Sequence, residues 1–258
     1  MNRIAPLSAP AAFTSPEHRL VTVIGAGGKT SLLHWIAMSR VAAGQRVVVT
    51  TTTKILPLQD VETVLLADGP DYLDRLRRAL RENSCIVTAK RYDKATGKLI
   101  GLAPETVDAL HHSGVADAIL VEADGAARKP LKAPGPHEPV IPFQSDICIG
   151  VMGLDALGNP FSDQTVHRPE HFAGITGAAL GESLSAAHMI SVTMAPGGLF
   201  KGCPPNCERI VLLNKADIPG GRELVHRFKV ELAGNDAARM LPWFAGSCHR
   251  QTLYRINP

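Results

Sequence analysis

The chain has 258 residues, 45% of them hydrophobic and 20% charged, with a formal charge of +3. That length can bury a sizeable core in one large α/β domain, and so small a charge argues against a nucleic-acid or membrane-surface partner. An aromatic content of 5% argues against a stacking platform for single strands, and no stretch approaches the roughly 20 apolar residues of a membrane span.

Residues 1–18 are rich in Ala, Pro and Ser without a continuous apolar run. They read as a flexible lead and not as a signal peptide, leaving 19–258 as a single domain expected in the cytoplasm. Residues 18–27 (HRLVTVIGAG) form a buried strand entering a glycine turn, and 29–44 follow as a helix stopped by Gly44. Residues 45–53 (QRVVVTTTT) are a β-branched strand, so the first three elements make a βαβ unit and imply a parallel sheet. An amphipathic helix spans 70–83. Residues 84–92 and 97–102 read as the arms of an antiparallel hairpin, and 104–114 as a helix opened by Pro104. Parallel strands follow at 117–125 (DAILVEADG), 145–154 (SDICIGVMGL) and 209–217 (RIVLLNKAD). A helix over 221–234 and a short closing strand near 240–247 complete the pattern. Two segments are irregular: 125–145, with five prolines, and the Gly/Pro-rich 195–208. Long ordered loops between strands are more often functional than accidental.

The strongest chemical signal is Gly25-Ala26-Gly27-Gly28-Lys29-Thr30-Ser31, between a strand and a helix. Such a loop gathers backbone N–H groups at a helix N-terminus, where phosphate fits. Lys29 can reach the β and γ phosphates and the Thr30 hydroxyl can ligate Mg²⁺. Val23 stands where G-x-x-x-x-G-K-[ST] has its first glycine. The shorter G-x-x-G-K-T resembles the ATP loop of Mur-type ligases. The expected fold is therefore a three-layer, P-loop NTPase-like α/β domain, with a mostly parallel central sheet and a small antiparallel hairpin insertion.

Glu122 and Asp124 sit at the carboxyl end of a buried strand, where ligands of open parallel sheets bind, and either can hold Mg²⁺ opposite the loop. Asn214, Lys215 and Asp217 spell N-K-x-D after a strand, the pattern that reads guanine; Asn and Asp also suit a turn or a helix cap. The shortened loop points to ATP instead, so GTP and ATP both stand. Arg128, Lys129 and Lys132 follow Asp124 closely and are candidate contacts to phosphate or an anionic substrate, as is Lys54 after TTTT. Cys203 and Cys207 form C-x₃-C without a second pair, which reads as two surface thiols, the alternative being a soft-ligand or selenium-related role. No Ser/His/Asp hydrolase elbow is present.

VIGAGGKTSLL, TTTTKI, VEADGAARKPLKAPGPHEPVIP, VHRPEHF, GGLFKG and VLLNKAD, in that order, resemble the YqeC family over about residues 20–218. Its members are accessory proteins of selenium-dependent molybdenum hydroxylases. EADGA-x-x-K-P-L-K-x-P is the specific part. The resemblance implies a P-loop NTPase-like protein that helps mature or install a molybdenum-hydroxylase cofactor. It aligns family motifs with Gly25–Ser31, Glu122–Gly125 and Asn214–Asp217. The leading expectation is a Mg²⁺-dependent NTPase. Lys29, Asp124 and Lys132 are its catalytic candidates, Thr30, Glu122 and Asp124 its metal set, and Asn214 and Asp217 its base contacts. Rivals are an ATP-dependent ligase or kinase acting on a small anionic substrate, and a nucleotide-sensing chaperone that does not hydrolyse.

Overall fold

A computed structural model describes residues 14–58, 61–66 and 69–257. The elements in chain order are β1 (Leu20–Gly25), α1 (Lys29–Ala42), β2 (Val47–Thr51), β3 (Lys54–Ile55), β4 (Glu62–Leu65), α2 (Tyr72–Glu82), β5 (Cys85–Ala89), β6 (Arg91–Asp93) and β7 (Lys98–Ile100). Then come α3 (Pro104–His112), β8 (Ala118–Glu122), β9 (Leu131–Lys132), β10 (Ile147–Gly153) and a 3₁₀ turn at Leu154–Ala156. The chain continues through β11 (Val166–His167), α4 (Pro169–Thr176), α5 (Ala186–Met194), β12 (Glu208–Asn214), α6 (Gly221–Ala233), α7 (Asp236–Arg239), β13 (Trp243–Ser247) and β14 (Thr252–Arg255).

Nine strands form the central sheet in the order β14-β13-β12-β10-β1-β8-β2-β5-β4. All neighbours are parallel except β13 and β14. The strand that enters the glycine loop, β1, thus lies in the middle, hydrogen-bonded to β10 and β8. Continuous apolar runs suit this position because both faces are covered. The period-2 alternation of side chains divides the core. Val21, Val23, Val47, Val49, Ile147, Ile149 and Leu212 pack with Leu32, Leu33, Trp35 and Ile36 of α1. On the other face, Val48, Ile86, Ile119 and Val121 meet α2 and α3 through Leu76, Leu80, Val107 and Leu110. Farther along that face, Ile24, Met152, Val211 and Leu213 meet Phe172, Met189, Ile190 and Phe228 of α4, α5 and α6. The three expected layers are present.

Some expectations need correction. Cys85–Ala89 is not a hairpin arm: it is the parallel strand β5, held between β2 and β4, and Ile86, Val87 and Thr88 are fully buried. The hairpin is smaller, β6 with β7, and β3 joins it to make a separate three-stranded antiparallel sheet. Helices α4 and α5, and strands β4 and β14, carry too short a periodic signal to be read from the chain alone. The flexible lead expected at 1–18 lies outside the described residues up to residue 13. Its remainder is tied down, since Arg40 Nη2 donates to the carbonyls of Ser15 and His18.

Phe172 of α4 is fully buried, with its ring centroid 5.5 Å from that of Phe161. Phe172→Ala should therefore lower the unfolding free energy by about 3–5 kcal/mol, read from denaturant titration with an unchanged slope.

Candidate functional site

β1 ends in a glycine turn built for close approach. Gly27 has φ +78°, and a Cβ there would fall 2.3 Å from Gly153 N. Gly28 has φ +124°, and a Cβ would fall 2.3 Å from Asn214 Nδ2. Any side chain would clash and would also be strained at these angles. The loop is pinned from outside: Ala26 N–H donates to Val151 O (2.8 Å), Gly27 N–H to Lys129 O (3.1 Å) and Gly25 N–H to Asp124 Oδ2 (3.0 Å). The first bond of α1 runs from Leu32 N–H to Gly28 O at 3.0 Å. The N–H groups of Gly28, Lys29, Thr30 and Ser31 therefore have no partner within the helix. No side chain caps this end and no acidic residue lies in its first turn, so its positive pole is free to meet an anion.

Beneath the loop lies a chain of buried charges. Lys29, Glu122, Asp124 and Lys132 are all less than a tenth exposed. Lys29 Nζ donates to Gly25 O (2.8 Å) and lies 3.3 Å from Asp124 Oδ1 and 3.6 Å from Glu122 Oε1. Lys132 Nζ lies 3.0 Å from Asp124 Oδ2 and 2.9 Å from Glu138 Oε2, and donates to Gly125 O. Arg168 Nη2 completes the alternation 3.0 Å from Glu138 Oε1. Opposite signs alternate, which is how buried charges are tolerated. Burial pushes the Glu122 carboxyl above its usual range, although Lys29 and the Thr30 hydroxyl (2.9 Å) pull it down. Burial also acts on Glu138, but there the hydrogen bond and charge of Lys132, with Arg168, outweigh it and hold the carboxyl low.

Two observations fit this pocket to a hard divalent cation beside a phosphate. Asp124 Oδ1 is buried without a hydrogen-bond donor. The oxygens nearby, from Thr30 and Glu122, are hard ligands. Among the described residues no three His, Cys, Asp or Glu side chains enclose a metal by themselves. A cation here would thus complete its shell with water and ligand oxygens, which is the habit of Mg²⁺.

The other candidate residues divide. Sequence reading assigns Asn214 to a base; in the fold it is buried and joins two loops instead. Its Nδ2 donates to Gly27 O (2.8 Å), and its Oδ1 accepts from Cys248 N–H (2.9 Å). Lys215 takes a left-handed φ of 68° and places Nζ 2.6 Å from Asp155 Oδ2, while Asp217 is exposed beyond it. Lys132 is not a free basic group on a solvated loop but the buried counter-ion of Asp124. Lys129 serves through its backbone carbonyl, and its Nζ reaches Val166 O at 3.4 Å. Arg128 is exposed, and Lys54 is exposed at the start of β3 in the separate small sheet. Sequence reasoning missed Glu138, Arg168 and Asp155. The first two lie within the quoted blocks PGPHEP and VHRPEHF, but their pairing crosses 30 residues and nothing local announces it.

Comparison with known proteins then places the chain. A family model described as "YqeC protein" matches residues 21–170, which contain the glycine loop and the whole buried charge chain. The protein YqeC of Escherichia coli (strain K12) is 38% identical over 196 residues, covering 76% of this chain and 75% of the relative. The chain belongs to the YqeC family. Among solved structures, HypB from Helicobacter pylori in complex with nickel aligns with 85% of this YqeC-family chain and 86% of its own, at 13% identity and a TM-score of 0.30. No helix among the described residues of this YqeC-family protein is long and apolar enough to cross a membrane.

Two outcomes test the geometry. Asn214→Ala should cost about 1–3 kcal/mol by leaving buried backbone groups of two loops unpaired, and should raise amide exchange at Gly27–Thr30. Glu138 has a lowered carboxyl pKa in the fold, so its stabilisation is present above the unfolded value of about 4.3 and is lost as pH falls through the folded one. Glu138→Gln should therefore be about 2 kcal/mol less stable at pH 7, and the gap should close on acidification below about pH 4.

Proposed function

We propose that the glycine-loop cleft binds a nucleoside triphosphate with Mg²⁺ and hydrolyses it, and that turnover drives an accessory step in cofactor maturation or insertion for a molybdenum hydroxylase. The observation that carries this reading is Lys29. It is a buried ammonium under an uncapped helix N-terminus, held by two carboxylates, of which Asp124 meets it through an oxygen that accepts no hydrogen bond. Such a lysine is poised to exchange carboxylate for phosphate. The backbone N–H groups of Gly28–Ser31 would hold the β and γ phosphate oxygens. Thr30, Asp124 and Glu122 would hold Mg²⁺, which supplies charge neutralisation to the transferring phosphoryl group.

Lys132 pairs with Asp124 and aims it, so its part is positioning and not contact with phosphate. Asn214 sets the spacing between the glycine loop and the β12 end. Lys215, held by Asp155, and Asp217, exposed past it, remain as the groups that would meet a base. An exposed Asp at that place favours guanine, whose N1–H and amino group donate, whereas adenine offers no such pair. The accessory role and its molybdenum-hydroxylase client rest on family membership and on the resemblance of the motifs.

The short spacing from Gly25 to Lys29 favours a second reading, an ATP-dependent ligase or kinase with a Mur-like loop. Its mark would be turnover that appears only with an added small anionic co-substrate. Binding without phosphate release would instead mark a nucleotide sensor.

Calorimetric titration of GTP and ATP, with and without Mg²⁺, tests the proposal directly. Lys29→Ala should weaken binding on the order of 100-fold by removing a charge-assisted contact; unchanged affinity would overturn nucleotide binding at this loop. Asp217→Ala should remove a preference for GTP over ATP, and no preference in the unaltered protein would remove the guanine assignment.

A further inference from the structure

Three of the five cysteines converge beneath the Gly/Pro-rich segment that sequence reading leaves as a loop with two surface thiols. Cys148 projects from β10, and Cys203 and Cys207 come down beside it from the segment before β12. All three are free, and all belong to one buried cluster. The loop is anchored, not loose. A Cβ on Gly150 would lie 2.5 Å from Leu199 Cδ2 and 3.1 Å from Phe200 Cζ. Lys201 Nζ donates to the carbonyls of Gly135 and Pro136. The Cys203 thiol is hydrogen-bonded to those of Cys148 and Cys207.

One of the three meets solvent space. Cys203 lines a 430 Å³ cleft with Met194, Phe200, Gly202, Arg209 and Leu241, and Arg209 is the charged residue among all those lining it. Arg209 Nη2 reaches Cys203 O at 3.5 Å. Its contacts with Cys148 and then Cys207, with Arg209, hold the Cys203 thiol well below the ordinary range despite burial, while the Cys207 thiol donates to Glu208 O at 3.4 Å. Burial pushes Cys148 up, and the bond to Cys203, with burial, pushes Cys207 up. The cluster thus sets Cys203, its thiol held low, at a cleft beside an arginine with two further cysteines in the same core, a setting of the kind that makes cysteines reactive. Among the described residues no three His, Cys, Asp or Glu side chains, these cysteines included, are arranged to hold a metal ion.

We propose that Cys203 is the attacking thiolate of a dithiol centre that exchanges with small, carboxylate-bearing disulfides, with Cys207 as the resolving thiol. Cys203 Sγ bonds to one sulfur of the incoming disulfide. The S–S bond breaks, and the other half leaves as a thiolate that takes a proton from water. Cys207 then loses its proton to water, attacks Cys203 Sγ and expels the second half as thiolate. Two electrons pass from the protein to the disulfide, which becomes two thiols, and a Cys203–Cys207 bond remains. Cys207 resolves because it shares the loop with Cys203 and can move with it, whereas Cys148 is fixed within a central strand. Arg209 at the cleft selects the carboxylate.

The test uses the reduced full-length protein and glutathione disulfide, followed by peptide mass mapping over time. Expected are a transient glutathione adduct on Cys203 and a final Cys203–Cys207 linked peptide. Cys207→Ser should accumulate the adduct. First reaction at Cys85, whose thiol burial pushes up to about 11, or a final Cys148–Cys203 link, would overturn the assignment. Arg209→Gln should slow exchange with glutathione disulfide about tenfold and leave the cationic disulfide cystamine unslowed; equal slowing with both would overturn the carboxylate preference. In the unaltered protein, iodoacetamide should alkylate Cys203 at a rate nearly flat between about pH 6 and 8, and a rate rising about tenfold per pH unit would overturn the thiolate. That last measurement needs no variant and is independent of folding defects.

Discussion

Asp124 lies 2% exposed between two ammonium groups, Lys29 at 3.3 Å and Lys132 at 3.0 Å, and accepts a backbone hydrogen bond from Gly25. An isolated carboxylate at this depth would be neutralised by protonation, because its desolvation outweighs any single pair. Here two cations and an N–H donor offset that desolvation. The arrangement ties three chain segments together: the glycine loop through Lys29 and Gly25, the end of β8 through Asp124, and the proline-rich loop through Lys132. Glu138 and Arg168 then extend the tie to the start of α4. The loops that frame the cleft are thus held by alternating charge over a rigid parallel sheet.

That tie also explains why Lys29 faces inward. Its ammonium is satisfied by Gly25 O, Glu122 and Asp124. Under the proposed function, an anion at the N-terminus of α1 would compete with these carboxylates for it. The thiol cluster stands close to the same machinery. Leu199, in the loop that carries Cys203, meets both Gly150 and Gly25 of the glycine loop, each at a distance that admits no added side chain without movement.

Much of the site was legible along the chain because it is local. GAGGKTS is one contiguous turn, and E-x-D at a strand end places two carboxylates beside it by alternation alone. Other parts were not. Lys132 reads as a contact to phosphate or an anionic substrate because it follows Asp124 closely, but its partners, Asp124 and Glu138, reach it only through the fold of the loop. Asn214 reads as a base contact because NKAD resembles one. Its amide is in fact fixed by Gly27 and Cys248, 187 and 34 residues away. Cys85–Ala89 reads as a hairpin arm because a turn follows it, but β2 and β4 pair with both its edges and helices cover both its faces.

The sequence by itself determined the parallel α/β sheet, the glycine loop at the head of a helix and the acidic end of β8, since each follows from a periodicity or a short motif. It also carried the family, through the EADGA-x-x-K-P-L-K-x-P block. Tertiary structure alone decided which charges are paired, which thiols meet and which basic residues are buried. These depend on contacts between loops far apart in the chain, and burial reverses the meaning of a polar side chain: the same Lys that would be solvated on a surface becomes, once enclosed, the counter-ion that compensates a buried carboxylate.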